Sequence, residues 1–184
     1  MSVTTTQPFA GTFAADPAHS SFVFTVKHMR VASFSARFDD VDARVVADER
    51  GIRLEGAARV ESVSIRNPPE FRERVVYGAD FFDAGNHPEL TFRSDDVRLG
   101  DDGSVSVRGE LTIRGVTNPF AAAGTYQPPV EDPFGSIRTA VELNATVDRR
   151  DWGMNWQLPL PDGGDVLGYD VQLSINVEFI KESE

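Results

Sequence analysis

Few side chains in this 184-residue sequence are able to do chemistry, and their spacing is unhelpful. There is no cysteine, which removes disulfides, thiol nucleophiles and thiolate metal sites. Three histidines, His19, His28 and His87, are available as metal ligands or general bases, but no HExxH run joins them. A metal site would have to be assembled from distant strands. Asp16, His19 and Ser20 have the composition of a nucleophilic triad, yet neighbours on a strand point to opposite faces, so His19 and Ser20 do not meet there. A strand-entry turn with local side-chain bonds fits them better. Asp80 and Asp83 resemble a carboxylate pair without a nearby nucleophile, and helix-end or turn roles account for both. The Gly-rich piece at 162–165 lacks the strand-to-helix setting of a phosphate loop. These patterns assign no catalytic residue, no metal and no cofactor.

What remains is aromatic. Residues 72–94, RERVVYGADFFDAGNHPELTFRS, set Phe81 and Phe82 between two aspartates at a chain reversal, with Pro88 biasing His87 away from helix. A second aromatic segment, residues 149–169, is a long loop that carries Trp152, Met154, Trp156 and Leu158 among Gly and Pro. Arg72, Arg74, Arg149 and Arg150 flank the two segments, where they either hold an anionic head group or pair with Asp80, Asp83 and Asp151.

The elements that must position these groups are strands. Residues 20–27 alternate Phe22, Phe24 and Val26 against Val23, Thr25 and Lys27. Residues 28–34 lose the alternation and read as one or two helical turns; residues 38–46 resume as a strand with a bulge near Asp39 and Asp40. Ile52, Leu54, Gly56, Ala58 and Val60 alternate cleanly with polar residues, and the small members of that set leave room inside. Asn67 followed by Pro68 and Glu70 signals a short helix, with Phe71 and Val75 on one face. Further alternation at 89–94, 105–113, 120–126, 137–147 and 171–179 brings the total to about eight antiparallel strands. The expected fold is therefore all-β, an eight-stranded antiparallel barrel with one or two short helices. Such a barrel either fills with side chains or encloses one small ligand.

Charge and hydropathy narrow the function. Eighteen Lys and Arg against 29 Asp and Glu give a net charge of -11, which repels phosphate backbones and excludes nucleic acid as a natural partner. The N-terminal twenty residues lack a basic region and a sustained apolar run, and no segment approaches the ~18 apolar residues of a membrane helix, so the expectation is a cytoplasmic protein without an integral membrane segment. One domain is expected over 1–184, with its core at about 12–182 behind a short polar leader.

Five blocks carry a resemblance: DPAHSSFVFTVKHM (16–29), FR followed by DFFDAGNHPELTFRS (71–94), GELTIRGVTNPF (109–120), RRDWGM (149–154) and GYDVQLSINVEFIK (168–181). In this order the set resembles the YceI-like family. The resemblance implies a lipocalin-like barrel whose interior holds a long apolar chain such as a polyisoprenoid, with no established catalytic residues. The sequence departs from the family pattern at Val75, where a histidine is usual, at Ala36 in place of a common glycine, and at Arg66 in place of a small hydroxyl residue.

The leading expectation is a non-enzymatic carrier of a long-chain isoprenoid, of quinone or carotenoid-precursor type. Phe22, Phe24, Phe38, Phe81, Phe82, Phe92, Trp152, Met154 and Trp156 are expected to line or cap its cavity, and Arg72, His28 and Arg149 to contact a head group. Two other classes stay open: an enzyme using His19, His28 or His87 as a base on an apolar substrate, and an interaction protein with a filled barrel. A homodimer formed through the tryptophan loop is also compatible with the sequence.

Overall fold

A computed structural model describes residues 10–183, so most of the expected polar leader lies outside the described residues. Ten strands run β1 Gly11–Ala15, β2 Ser21–His28, β3 Ala32–Phe38, β4 Val41–Asp48, β5 Gly51–Arg59, β6 Glu89–Leu99, β7 Ser104–Ile113, β8 Val116–Glu131, β9 Ile137–Asp148 and β10 Leu167–Lys181. They form one antiparallel sheet closed by the pairing of β1 with both β4 and β10. Ten segments make eight barrel staves. β1 and β2 both lie along β10, Phe13 opposite Lys181 and Phe22 opposite Ile175, as one strand interrupted by the 3-10 turn Pro17–His19. β3 and β4 form a second interrupted strand, broken at Asp39 and Asp40 where a bulge was expected; there Asp39 N–H donates to Ser62 O and Arg59 N–H to Asp40 O. Closure leaves no long free edge around the ring.

The strands form because their inner faces have something to bury. Leu54 and Ala58 in β5, Val105, Val107 and Leu111 in β7, Leu143 in β9, and Leu173, Val177 and Phe179 in β10 are all buried at period two. Removing a large apolar side chain from water is worth about 1.5–3 kcal/mol, so positions of this kind dominate stability. β1 is a strand that the alternation pattern does not mark. Its five residues carry one large apolar side chain, Phe13, which is 1% exposed and wedged between partners more than 30 residues away.

Residues 28–34 are not helical. Met29 and Arg30 both adopt left-handed backbone, φ 50° and 59°, which makes a tight turn between β2 and β3 and leaves no helical turn. The turn between β7 and β8 is likewise tight, confined to Arg114 and Gly115. The one described α-helix, α1 Pro69–Tyr77, starts one residue later than read, with Pro68 at the N-cap and no side-chain cap bond. Its Val75 and Val76 are buried, and Phe82 N–H and Ala84 N–H donate to their carbonyls, so the helix and the turn after it cover one end of the barrel.

Along β6 the pairing with β7 shifts between Ser94 and Asp96. The bulge presses the chain onto Gly109, where an added Cβ would lie 2.1 Å from Arg93 O and 2.7 Å from Ser94 Cα. Main-chain atoms in a ladder cannot step aside. Gly109→Ala is expected to cost about 1–3 kcal/mol, read as a lower urea midpoint with the slope unchanged; an unchanged midpoint would contradict the packing described.

Candidate functional site

Two features occupy the barrel axis. Midway along it lies a cavity of about 80 Å³ bordered by Phe22, Ala43, Leu54, Gly56, Ala58, Leu90, Phe92, Val107, Leu111, Phe120, Leu143, Leu173 and Ile175. Its inner surface is almost wholly apolar. The open side is β5, where Gly56 and Ala58 face inward and an added Cβ on Gly56 would meet nothing closer than Asp42 O at 3.7 Å. A smaller void of about 20 Å³ continues toward the β4–β5 and β6–β7 turns and shares Leu54, Val107 and Val141 with the first. At Gly56 a wider groove of about 580 Å³ has mixed walls, with Arg44, Glu55, Arg93, Glu110 and Thr112 beside Ala43, Gly56, Ala57 and Phe92, the last four shared with the cavity.

Beneath the helix the axis is filled by rings. Phe24 lies 5.7 Å from Phe38 and 6.0 Å from Phe82; Phe38 and Phe82 meet edge-on at 5.7 Å; Phe22 reaches Phe38 at 5.5 Å, and Phe34 joins Phe24 to Phe71. Ring contacts of this kind add about 0.5–1.5 kcal/mol each beyond burial.

Of the nine expected cavity residues, Phe22 and Phe92 line the cavity. Phe24, Phe38 and Phe82 belong to the ring stack. Trp152, 2% exposed, donates its indole N–H to Leu111 O, and Met154 is buried beside it; both are core. An aspartate at Phe82 or Trp152 would therefore disrupt the fold, so such variants do not isolate binding. Phe81 and Trp156 lie outside the stack, 5.6 Å apart and only partly buried, with the Arg74 guanidinium over both rings. Sequence reading missed most of the lining, namely Ala43, Leu111, Phe120, Leu143 and their neighbours. The available signal was the inward phase of each strand.

The head-group candidates sit at the ring-filled end. Arg149 is 4% exposed, and its guanidinium donates to four main-chain carbonyls: Met154, Trp156 (2.9 Å), Leu167 (3.3 Å) and Gly168 (2.8 Å). Burial pulls its pKa below the ordinary arginine value. Four of its five N–H groups are committed to main-chain carbonyls, so it ties the tryptophan loop to the start of β10. Arg114 makes a matching clamp, donating to Ala79 O, Trp152 O and Gly153 O, with its Nε buried and unpartnered. Arg72 donates to Glu61 O, and His28 is exposed at the end of β2. With Trp152 buried in its own chain, the outward apolar contribution of the loop is Leu158.

The histidines do not converge on the cavity. His87 packs against Gly115, His28 is at the hairpin turn, and His19 is exposed on the 3-10 turn, 2.9 Å from Asp16; none borders either void. A base on one of these histidines acting inside the barrel is therefore ruled out by placement. Asp16, His19 and Glu178 come within metal-binding reach of one another, but Arg138 fills the space with ion pairs to Asp16 at 2.9 Å, Glu178 at 2.5 Å and Asp132 at 2.6 Å.

This network generates a pH dependence. Hydrogen bonds from His19 and then Arg138 lower the Asp16 pKa to about 2, and the same Asp16 bond raises that of His19. The Asp16 contribution is present above the ordinary value of 3.8 and lost as pH falls toward 2; the His19 contribution is present below 6.5 and lost as pH rises through its raised value. Thermal melts of Asp16→Asn and the parent protein should therefore differ most between pH 3.8 and 6.5 and converge near pH 2. A difference that persists at pH 2 would contradict the assignment. Arg149→Gln should lower stability by about 2–4 kcal/mol, because buried carbonyls lose their donors, and should speed hydrogen exchange in 153–166 ahead of the strands. Equal acceleration across the sheet would count against a local clamp.

Comparison with known proteins places the same blocks in a wider set. The family model of the YceI-like domain matches residues 13–179. The UPF0312 protein SA2479 of Staphylococcus aureus is 31% identical over 169 residues, 91% of this chain and 96% of that protein. Among solved structures, Burkholderia cenocepacia BcnA superposes with a TM-score of 0.72 at 19% identity, covering 89% of this chain and 98% of that one. A polyisoprenoid binding domain from Saccharophagus degradans, implicated in plant cell wall breakdown, gives 0.67 at 14% identity, covering 95% and 100%.

Proposed function

The chain belongs to the YceI-like family, and on that premise we propose that its barrel binds a slender apolar chain, a long-chain isoprenoid or related amphiphile of quinone or carotenoid-precursor type, without transforming it. The observation that carries this reading is the apolar cavity against the small residues of β5. Its chemistry suits hydrocarbon alone. Each methylene taken from water is worth ~0.8 kcal/mol, so a chain of tens of carbons is held without a charged anchor. The polyisoprenoid binding domain of Saccharophagus degradans shares the fold and supports the ligand class. None of the described helices is long and apolar enough to cross a membrane, and the reading is of a cytoplasmic carrier that sequesters such a chain or moves it between sites.

Size favours a second reading. A cavity of about 80 Å³ is well below the ~300–1,000 Å³ of typical ligand pockets, so a long chain enters only if Phe22, Phe92 and the ring stack rotate aside. A barrel that stays as filled as this one is an interaction protein with an acidic exterior.

Titration with menaquinone-4, a prenylated quinone that quenches tryptophan emission, separates the two. The parent protein should show saturable quenching of Trp152 and Trp156. Gly56→Leu, which adds bulk on the open side of the cavity, should weaken uptake at least tenfold with the melting curve intact. No saturable quenching by the parent, or equal binding by both proteins, would remove the carrier reading and leave the filled barrel.

A further inference from the structure

The two ends of the barrel are built differently, and the difference assigns a route. At the helix end the axis is blocked by stacked rings and the covering segments are fastened by Arg114 and Arg149 to main-chain carbonyls. Opening it means breaking charge-assisted hydrogen bonds and unstacking aromatics together.

The other half of the wall has a seam. β5 pairs with β6 only from Glu55 opposite Arg93 to Arg59 opposite Glu89. Beyond that point residues 51–54 remain paired to β4, and residues 96–99 to β7, but among the described residues no ladder joins them to each other. The shift at Ser94 and Asp96 breaks the register, and Leu54 N–H, which a regular ladder would give to a carbonyl, donates instead to Ser94 Oγ at 2.8 Å. The two stretches face each other with slim aliphatic side chains, Ile52, Leu54, Val97 and Leu99, of which only Leu54 is fully buried. Directly behind them lies the 20 Å³ void, and Val107 and Val141 join it to the main cavity. The voids behind the seam have almost wholly apolar walls, and no continuous main-chain ladder crosses it.

We propose that the seam between residues 51–54 and 95–99 is the portal for an apolar ligand, and that the ring-filled end is the blind end. This rests on the carrier reading above. It also fixes orientation: the tail leads toward Phe22 and Phe92, and a polar head stays at the seam, beside the exposed ion pairs Arg53–Asp48 and Arg98–Asp96, away from Arg149, whose guanidinium is committed to main-chain carbonyls. Parting the strands there sacrifices side-chain contacts and one bond to Ser94, and breaks no main-chain ladder.

A chain without cysteine allows a direct test. Arg53→Cys with Asp95→Cys places thiols on the outer face across the seam, two residues beyond the Glu55–Arg93 pair. Arg30→Cys with Asp162→Cys, replacing a 3.2 Å ion pair, does the same between the hairpin turn and the tryptophan loop at the ring-filled end. Each folded double variant is bridged with bismaleimidoethane, and menaquinone-4 uptake is followed by stopped-flow tryptophan quenching against its own unbridged form. Bridging the seam should slow uptake at least tenfold, and bridging the other end should change it less than twofold. The reverse pattern, or equal slowing by both bridges, would overturn the portal while leaving the carrier standing. Absence of uptake in the unbridged variants and the parent alike would overturn the carrier and the portal with it.

Discussion

Closing an eight-stranded barrel around apolar side chains leaves one problem at its irregular end, where long connections carry main-chain carbonyls into the interior. Arg149 answers it. A guanidinium with five donors in a fixed fork reaches four such carbonyls at once, and burial without a carboxylate partner is tolerable only because those acceptors surround it. Arg114 repeats the device between the β7–β8 turn, the Phe81 turn and the Trp152 turn. With buried Trp152, Met154 and Phe82 they hold the tryptophan loop and the segment after α1 over the barrel.

That fastening decides how the interior is used. With one end clamped and plugged by Phe24, Phe38 and Phe82, the free space collects at mid-barrel, where Ala43, Gly56 and Ala58 are too small to fill it. The bulge at Ser94 then governs the other half of the wall: it forces glycine at position 109, ends the β5–β6 ladder, and leaves an aliphatic seam beside the void. Rigid end, soft wall and apolar space between them follow from a few residues whose neighbours admit no alternative.

Much of this was legible in the sequence wherever a single local rule applies. Strict alternation marked β5, β7, β9 and β10, and the small residues of β5 announced a space inside. Elsewhere the deciding partner is remote. Five residues around Phe13 show no period and become a strand only against β4 and β10. Phe81 and Phe82 read as one aromatic pair, yet a single peptide step puts Phe82 in the core and Phe81 on the surface against Trp156. Arg149 reads as a surface charge beside aromatics, because four backbone carbonyls converging on it leave no trace in residue types. Val75, in place of a usual histidine, is buried in the core here, so that position contributes packing in this chain.

The central claim is that the barrel interior is a binding site for hydrocarbon. Native mass spectrometry of the purified protein, followed by organic extraction of the same sample, tests it most directly. The account predicts an adduct at near-stoichiometric level that is released as a prenyl compound on extraction. A protein that flies at its bare chain mass and stays bare after incubation with isoprenoid quinones would contradict it.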